Sequence, residues 1–332
     1  MRESVFIGTL GILFGAACGG SEAKADVTAD VAATEVPDLS EDTAVEVSPE
    51  VEADTEVETG VDASGPEGWD RASAWLSVTV AGYANNAPRT VLAGALWATP
   101  EPETYALQED TGSCRLSFGE NFFCDPPCDA GVCTAPDPDD QCTPYPALLS
   151  AGNVVISGAG ESVSMKPGSD GSGGYASESD GALWATGSEL TFSATGADVP
   201  AFTASLRMIE PMVGKNLAAL DLKRPLVIEW DPPTSSGNPT RVNILLQSDR
   251  GQHGRAYAAV LECDVPDSGR FEIPPALQAK YIDDALWGCG KCPPSKLSRY
   301  VRTRVQAGAQ GIDVRVETQE TFLLTPWSTP AL

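Results

Sequence analysis

Nucleophilic hydrolysis needs a base beside the nucleophile, usually a histidine. This chain has one histidine, His253, in Asp249-Arg250-Gly251-Gln252-His253-Gly254-Arg255. A glycine-rich polar stretch of that kind reads as a solvated loop. The sequence holds no G-x-S-x-G, no phosphate-binding glycine loop and no H-E-x-x-H. Cys289-Gly290-Lys291-Cys292 is a CxxC, which suits a redox dithiol or half of a zinc site. A redox motif belongs beside a βαβ pattern, which is missing, and zinc would need two further free ligands. A structural disulfide is the plainer reading. Asp137, Asp139 and Asp140 could offer oxygens to calcium, but the turn glycine of an EF-hand loop would fall where Cys142 stands. Carboxylate pairs could hydrolyse glycosidic bonds, yet sequence does not fix their separation. The expectation is a protein without bound metal or cofactor.

Tyr300, Arg302 and Arg315 point to binding instead. Residues 299–305 and 312–318 read as two strands joined by 306–311. Pairing Val305 with Ile312 sets Thr303 opposite Val314 and Val301 opposite Val316, a largely apolar face. The other face then has Arg304 opposite Asp313, Arg302 opposite Arg315, and Tyr300 opposite Glu317. Like charges directly opposite each other are destabilising. Either Asp313 and Glu317, diagonal to Arg302 and adjacent to Arg315 on the same face, neutralise that pair, or Tyr300, Arg302 and Arg315 form a small basic-aromatic platform. Guanidinium forks match carboxylates and a sugar ring can stack on tyrosine, so such a platform would take an acidic polysaccharide.

These residues must be held by strands. Leu190, Phe192 and Ala194 alternate with polar residues, as do Phe202, Ala204, Leu206 and Met208, then Val242, Ile244 and Leu246, then Ile312, Val314 and Val316. A period of two over five to seven residues indicates half-buried strands. Asp180-Gly181 and Asp267-Ser268-Gly269 are turn signals between them. About a dozen strands are expected, with one short helix at 275–281. Leu226-Val227-Ile228-Glu229-Trp230-Asp231-Pro232-Pro233 resembles the Trp-bearing strand of fibronectin type III and immunoglobulin-like domains. The expected class is therefore all-β: an immunoglobulin/fibronectin-like β-sandwich over 69–332, with a disulfide-rich loop insertion at 114–142.

Of nine cysteines, Cys18 lies near the N-terminus. The other eight form two groups: Cys114, Cys124, Cys128, Cys133 and Cys142, then Cys263, Cys289 and Cys292. In an exported chain disulfides are the default, and eight cysteines allow 105 pairings. Five and three are both odd. If all eight pair within the chain, at least one bridge must join the groups.

The segment Cys124-Asp125-Pro126-Pro127-Cys128-Asp129-Ala130-Gly131-Val132-Cys133 is followed by Cys142-Thr143-Pro144-Tyr145-Pro146 and by Gly152-Asn153-Val154-Val155-Ile156-Ser157-Gly158. With Gly187-Ser188-Glu189-Leu190-Thr191-Phe192, Val199-Pro200-Ala201-Phe202 and Phe271-Glu272-Ile273-Pro274-Pro275, it resembles a group of myxobacterial-type surface lipoproteins. The resemblance implies a lipoprotein and a β-sandwich. It brings no activity with it.

Charge and leader agree with export. Arg2 precedes an apolar run, Val5 to Phe14, which is too short to span a bilayer and has the length of a signal-peptide core. Gly15-Ala16-Ala17-Cys18 follows and looks like a lipobox, although Gly15 stands where leucine is usual. Residues 1–17 are then a signal peptide and Cys18 the lipidated anchor. Ala23-Lys24-Ala25 offers the alternative, ordinary cleavage to a secreted protein. Gly20, rather than Asp, two residues after Cys18 implies the outer membrane. Residues 21–67 carry fifteen Asp/Glu and one lysine, or −14 of the net −26, and no aromatic residue. Such a stretch is expected to be disordered, and 18–68 reads as an acidic tether. The overall charge argues against nucleic acid as a partner. The expected role is a non-enzymatic binding or adhesion module at the cell surface. Its partners would be the membrane, through the lipid, and an acidic polysaccharide or envelope protein. The alternatives are a structural envelope component, or a hydrolase of envelope polysaccharide with an unrecognised carboxylate site.

Overall fold

The structure, a computed structural model, describes residues 74–82, 87–100, 102, 105–119, 128, 131–135, 141–168, 174–234, 239–248, 259–284, 295–322 and 324. All lie within one compact unit, Thr55–Leu332. The signal segment 1–17, Cys18, the tether 18–68, Cys124, Asp137, Asp139, Asp140, His253, Cys289 and Cys292 fall outside the described residues.

Period-two alternation builds strands throughout, so the fold is all-β and sandwich-like with a single α-helix among the described residues. In chain order the strands are β1 (Ala74–Gly82), β2 (Arg89–Leu96), β3 (Tyr105–Asp110), β4 (Cys114–Gly119), β5 (Gly131–Ala135), β6 (Gln141–Pro144), β7 (Val154–Gly158), β8 (Glu161–Met165) and β9 (Tyr175–Asp180). There follow β10 (Glu189–Ala194), β11 (Phe202–Arg207), β12 (Val227–Glu229), β13 (Arg241–Ser248), β14 (Ala259–Pro266), β15 (Arg270–Glu272), helix α1 (Pro275–Asp284), β16 (Ser295–Ala307) and β17 (Gln310–Phe322). A nine-stranded sheet runs β3-β4-β14-β13-β16-β17-β1-β2-β9. Every pair in it is antiparallel except β1 with β17, which is parallel. A four-stranded sheet runs β11-β10-β7-β8, and β12-β15 and β5-β6 are two-stranded ribbons.

One face of the large sheet is the inner face, and it holds two apolar cores. In core 1, Leu76, Val78, Leu92, Val301, Val314 and Val316 meet Ile156, Leu190, Phe192, Phe202 and Leu206 of the second sheet. In core 2, Leu116, Ile244, Leu261 and Leu297 meet Leu226, Ile228, Trp230 and, from α1, Leu277 and Tyr281. Burying each such side chain contributes about 1.5–3 kcal/mol. Strands β16 and β17 are long enough to serve both cores.

Between the cores the inner face turns polar. Arg299, 1% exposed, donates from Nε to Asp267 Oδ2 at 2.5 Å, from Nη1 to Pro211 O at 2.8 Å and from Nη2 to Asp231 O. Asp267 also accepts from Trp230 Nε1 and from the Thr240 hydroxyl, each at 2.7 Å. Next along the same face, Thr318 donates to Glu210 O, and Glu320 accepts from the Gly214 amide. The irregular segment 208–234 is thus fastened where it crosses the sheet.

Cys114 is bonded to Cys263, its directly opposite partner on β14. This is a bridge between the two cysteine groups, of the kind parity requires. Cys128 is bonded to Cys142, and Cys133 is also disulfide-bonded.

Several boundaries differ from expectation. The register Val305↔Ile312 holds, but the strands continue to Ala307 and from Gln310, leaving a two-residue turn in place of 306–311. Gly308, at φ 63°, supplies the left-handed conformation that so tight a turn needs. The helix expected at 275–281 runs on to Asp284. The Trp-bearing strand is only Val227–Glu229 and pairs with β15 in a ribbon, outside the main sheets.

Candidate functional site

The outer face of the large sheet follows from the same alternation. On β16 it carries Lys296, Ser298, Tyr300, Arg302, Arg304 and Gln306, and on β17 Asp313, Arg315, Glu317 and Gln319. The hairpin therefore brings Tyr300, Arg302 and Arg315 together, with Arg302 directly opposite Arg315. Four cations face two carboxylates on this hairpin, a local positive surplus on a chain of net charge −26.

Tyr300 does not lie open. It is 4% exposed, and the Arg315 guanidinium sits over its ring with Cζ 3.8 Å from the centroid. Its hydroxyl donates to Asp264 Oδ2 at 2.6 Å, while Arg241 Nε donates to the other oxygen, Oδ1, at 2.8 Å. Burial pushes the phenol up to about 12, and the charge of Asp264 adds to the shift. Tyr300 is therefore a buried strut for Arg315, with no free ring face for a sugar to cover. Sequence placed it correctly on the outer side of its strand. The packing came from Asp264 and Arg241, on strands whose adjacency was not readable.

The arginines differ. Arg304 pairs with Asp313 at 3.0 Å, and Arg315 Nε lies 3.0 Å from Glu317 Oε2 without hydrogen-bond alignment. Arg302 is half-buried and makes no hydrogen bond or ion pair among the described residues. Burial pushes the Asp313 carboxyl above its ordinary range, against the pull of Arg304, Arg302 and Arg315. Burial likewise lowers Lys296, opposed by Glu317. Of the Arg302–Arg315 pair, Arg315 thus has Glu317 beside it, whereas Asp313 is paired with Arg304 and acts on Arg302 only through its charge. Arg302 keeps an unmatched fork that can accept a carboxylate in two parallel bonds.

Toward β2 the outer face changes character. Trp75, Ser77 and Thr79 of β1 point outward, between Asp313, Arg315 and Glu317 on β17 and Ala95, Ala93 and Val91 on β2. Sequence reasoning passed over Trp75. Its signal was an aromatic out of phase with the buried Ala74, Leu76 and Val78.

No family model and no curated protein matches the chain. Among solved structures, a Ca2+-stabilised adhesin with which an Antarctic bacterium reaches out and binds ice is 10% identical, over 73% of this chain and 72% of that one. The TM-score is 0.14.

Proposed function

We propose that this chain is a non-enzymatic binding or adhesion module, displayed on the outer membrane through lipidated Cys18, and that it takes an acidic polysaccharide on the outer face of the large sheet. Arg302 carries this reading. It makes no hydrogen bond or close ion pair among the described residues, and it is set directly opposite a second arginine, on a protein whose charge is otherwise strongly negative. A like-charge pair costs stability, and an anionic ligand offsets that cost. The lipobox-like Gly15-Ala16-Ala17-Cys18 and the resemblance to surface lipoproteins support the placement, and the acidic stretch 18–68 suits a spacer.

Retention of the full chain on immobilised alginate at low and high salt tests the ligand class. The wild type should be retained at low salt and released as salt screens the exposed charges. Arg302→Ala combined with Arg315→Ala should abolish retention. No retention of the wild type, or equal retention of the double variant, refutes the binding role. Cys18→Ser should move the protein from the membrane pellet to the soluble fraction. A wild type already soluble, with its N-terminus at Asp26, refutes the anchor.

A further inference from the structure

We infer that Asp264 is a positioning residue of the anion site: through Tyr300 it fixes the surface from which Arg315 offers its fork, an assignment that rests on the binding role proposed above. Asp264 lies on β14, three strands away from β17 in the order β14-β13-β16-β17. Two side chains engage its carboxylate. Arg241 of β13, directly opposite Tyr300, donates from Nε to Oδ1 at 2.8 Å and from Nη2 to the Asp264 carbonyl at 3.1 Å. The Tyr300 hydroxyl donates to Oδ2 at 2.6 Å. Both carboxylate oxygens are thus taken, and Asp264 is buried. Its backbone is pinned as well: its amide donates to Ser113 O at 2.9 Å, and Cys263 before it is bonded to Cys114. The Tyr300 ring is therefore held at its hydroxyl end by a fixed group. That ring is the surface on which Arg315 sits, with Cζ 3.8 Å from the centroid.

The two arginines of the pair differ in consequence. Arg315 has one closed end and one open end. Its Nε is shut off from solvent, with Glu317 Oε2 3.0 Å away, while the side chain as a whole is 33% exposed. Its two Nη atoms reach solvent and make no hydrogen bond among the described residues. The fork is thus offered from a fixed base. Arg302, directly opposite, has no ring or hydrogen bond to hold it among the described residues. Ordering a long side chain on binding costs affinity, and a guanidinium already seated on a ring has met that cost during folding. Arg315 is therefore the preformed half of the site and Arg302 the adaptable half. Loss of the Asp264 contact would free the Tyr300 ring to shift, and Arg315 would shift with it. Arg241 belongs to the same chain of contacts. It neutralises Asp264, so the carboxylate that anchors Tyr300 adds no net repulsion to an approaching anion.

Isothermal titration of the full chain with alginate oligosaccharides, read beside the NMR signal of the Arg315 Nε–H group, tests this in Tyr300→Phe and Asp264→Asn. Tyr300→Phe keeps the ring under Arg315 and removes the hydroxyl that Asp264 holds. Asp264→Asn keeps an acceptor and removes the charge. The Arg315 signal is identified as the one that Arg315→Lys removes. Tyr300→Phe should lose about tenfold in affinity and Asp264→Asn about threefold, both remaining folded at the temperature of the titration. In both, the Arg315 signal should shift and broaden. Arg302→Ala should weaken binding and leave that signal in place. Wild-type affinity in Tyr300→Phe, or a loss of affinity with the Arg315 signal unmoved, overturns the positioning role while leaving the arginine site standing. If the wild type does not bind alginate, the binding role itself falls and this assignment with it.

Discussion

Core 1 and core 2 share one sheet and are closed in different ways. Over Val301, Val314 and Val316 the cover is a second sheet, whose backbone groups are already paired in its own ladder. Alternation in β10 and β11 then suffices, because the cover needs only to present Leu190, Phe192, Phe202 and Leu206 on one side. Over Ile244, Leu261 and Leu297 the cover is α1, the β12-β15 ribbon and irregular chain. Irregular backbone brings donors and acceptors with no ladder to satisfy them, and a buried unpaired group costs about 1–3 kcal/mol. Core 2 answers with side chains. Buried Gln278 accepts from the Leu226 amide and donates to Leu222 O and Arg224 O. Asn216 spans Val227 O and the Glu229 amide as a neighbouring strand would, and Arg299 gathers 211, 231 and 267. An apolar layer can be specified by pattern. A layer of loops has to be specified residue by residue.

The difference can be broken at Asp267. Asp267→Ala leaves buried Arg299 without its counter-ion and should cost about 3–5 kcal/mol in denaturant unfolding. Replacing both, Arg299→Met with Asp267→Leu, should recover most of that loss, since a packed apolar pair avoids the desolvation of two charges. Removing the bridge by Cys114→Ala with Cys263→Ala should cost about 2–5 kcal/mol, because the closed loop is long. Gln278→Leu should cost about 1–3 kcal/mol. Its hydrogen exchange is the sharper readout: amides at 222–226 and in β12 should lose protection while β10 keeps its own. Equal loss in β10 would make the two cores one cooperative unit and end the distinction.

The smallest effect concerns pH. With the Tyr300 phenol raised from 10 to about 12, the folded state holds that proton more tightly than the unfolded chain. The stability from Tyr300 is complete below pH 10 and is lost as pH rises toward 12. Tyr300→Phe should flatten this part of the alkaline stability profile and lower stability at neutral pH by about 1–3 kcal/mol, because Asp264 loses a donor. A profile identical to wild type would mean that another group governs the alkaline limb.

What was legible in the sequence follows the same division. The register of β16 on β17 could be read because a slip by one residue would turn Val301, Val305, Val314 and Val316 out of the core. Arg302 opposite Arg315 came with it. The end of the hairpin was misplaced because Gln306, Gly308 and Gly311 look like loop residues, although Ala307 is buried and extends the alternation. The short β12 resembled a sandwich strand because Trp230 is buried, yet its neighbours are a ribbon and Asn216. Tyr300 was read as exposed because alternation gives the side of a sheet and not what lies beside it. Asp264, Arg241 and Trp75 could be joined to the site only once β13 and β1 were known to flank the hairpin, with β14 beyond β13.

Strand β1 enters the sheet beside β17, pairing Ala74 with Ile312, residues whose numbers differ by 238. The first described strand thus has no place in the middle of the sheet until the last has been made. On a ribosome, β1, β2 and β9 emerge early and form only one margin of a nine-stranded array whose centre is still unsynthesised. Non-local pairing of this kind slows folding, because the entropy of closing a long loop is spent before the contacts form. Completion of the sheet is therefore timed by the C-terminal hairpin. A truncation before residue 310 would remove β17, the strand that joins β1 to β16, so the N-terminal strands and the face that carries Trp75 would be cut off from the rest of the sheet.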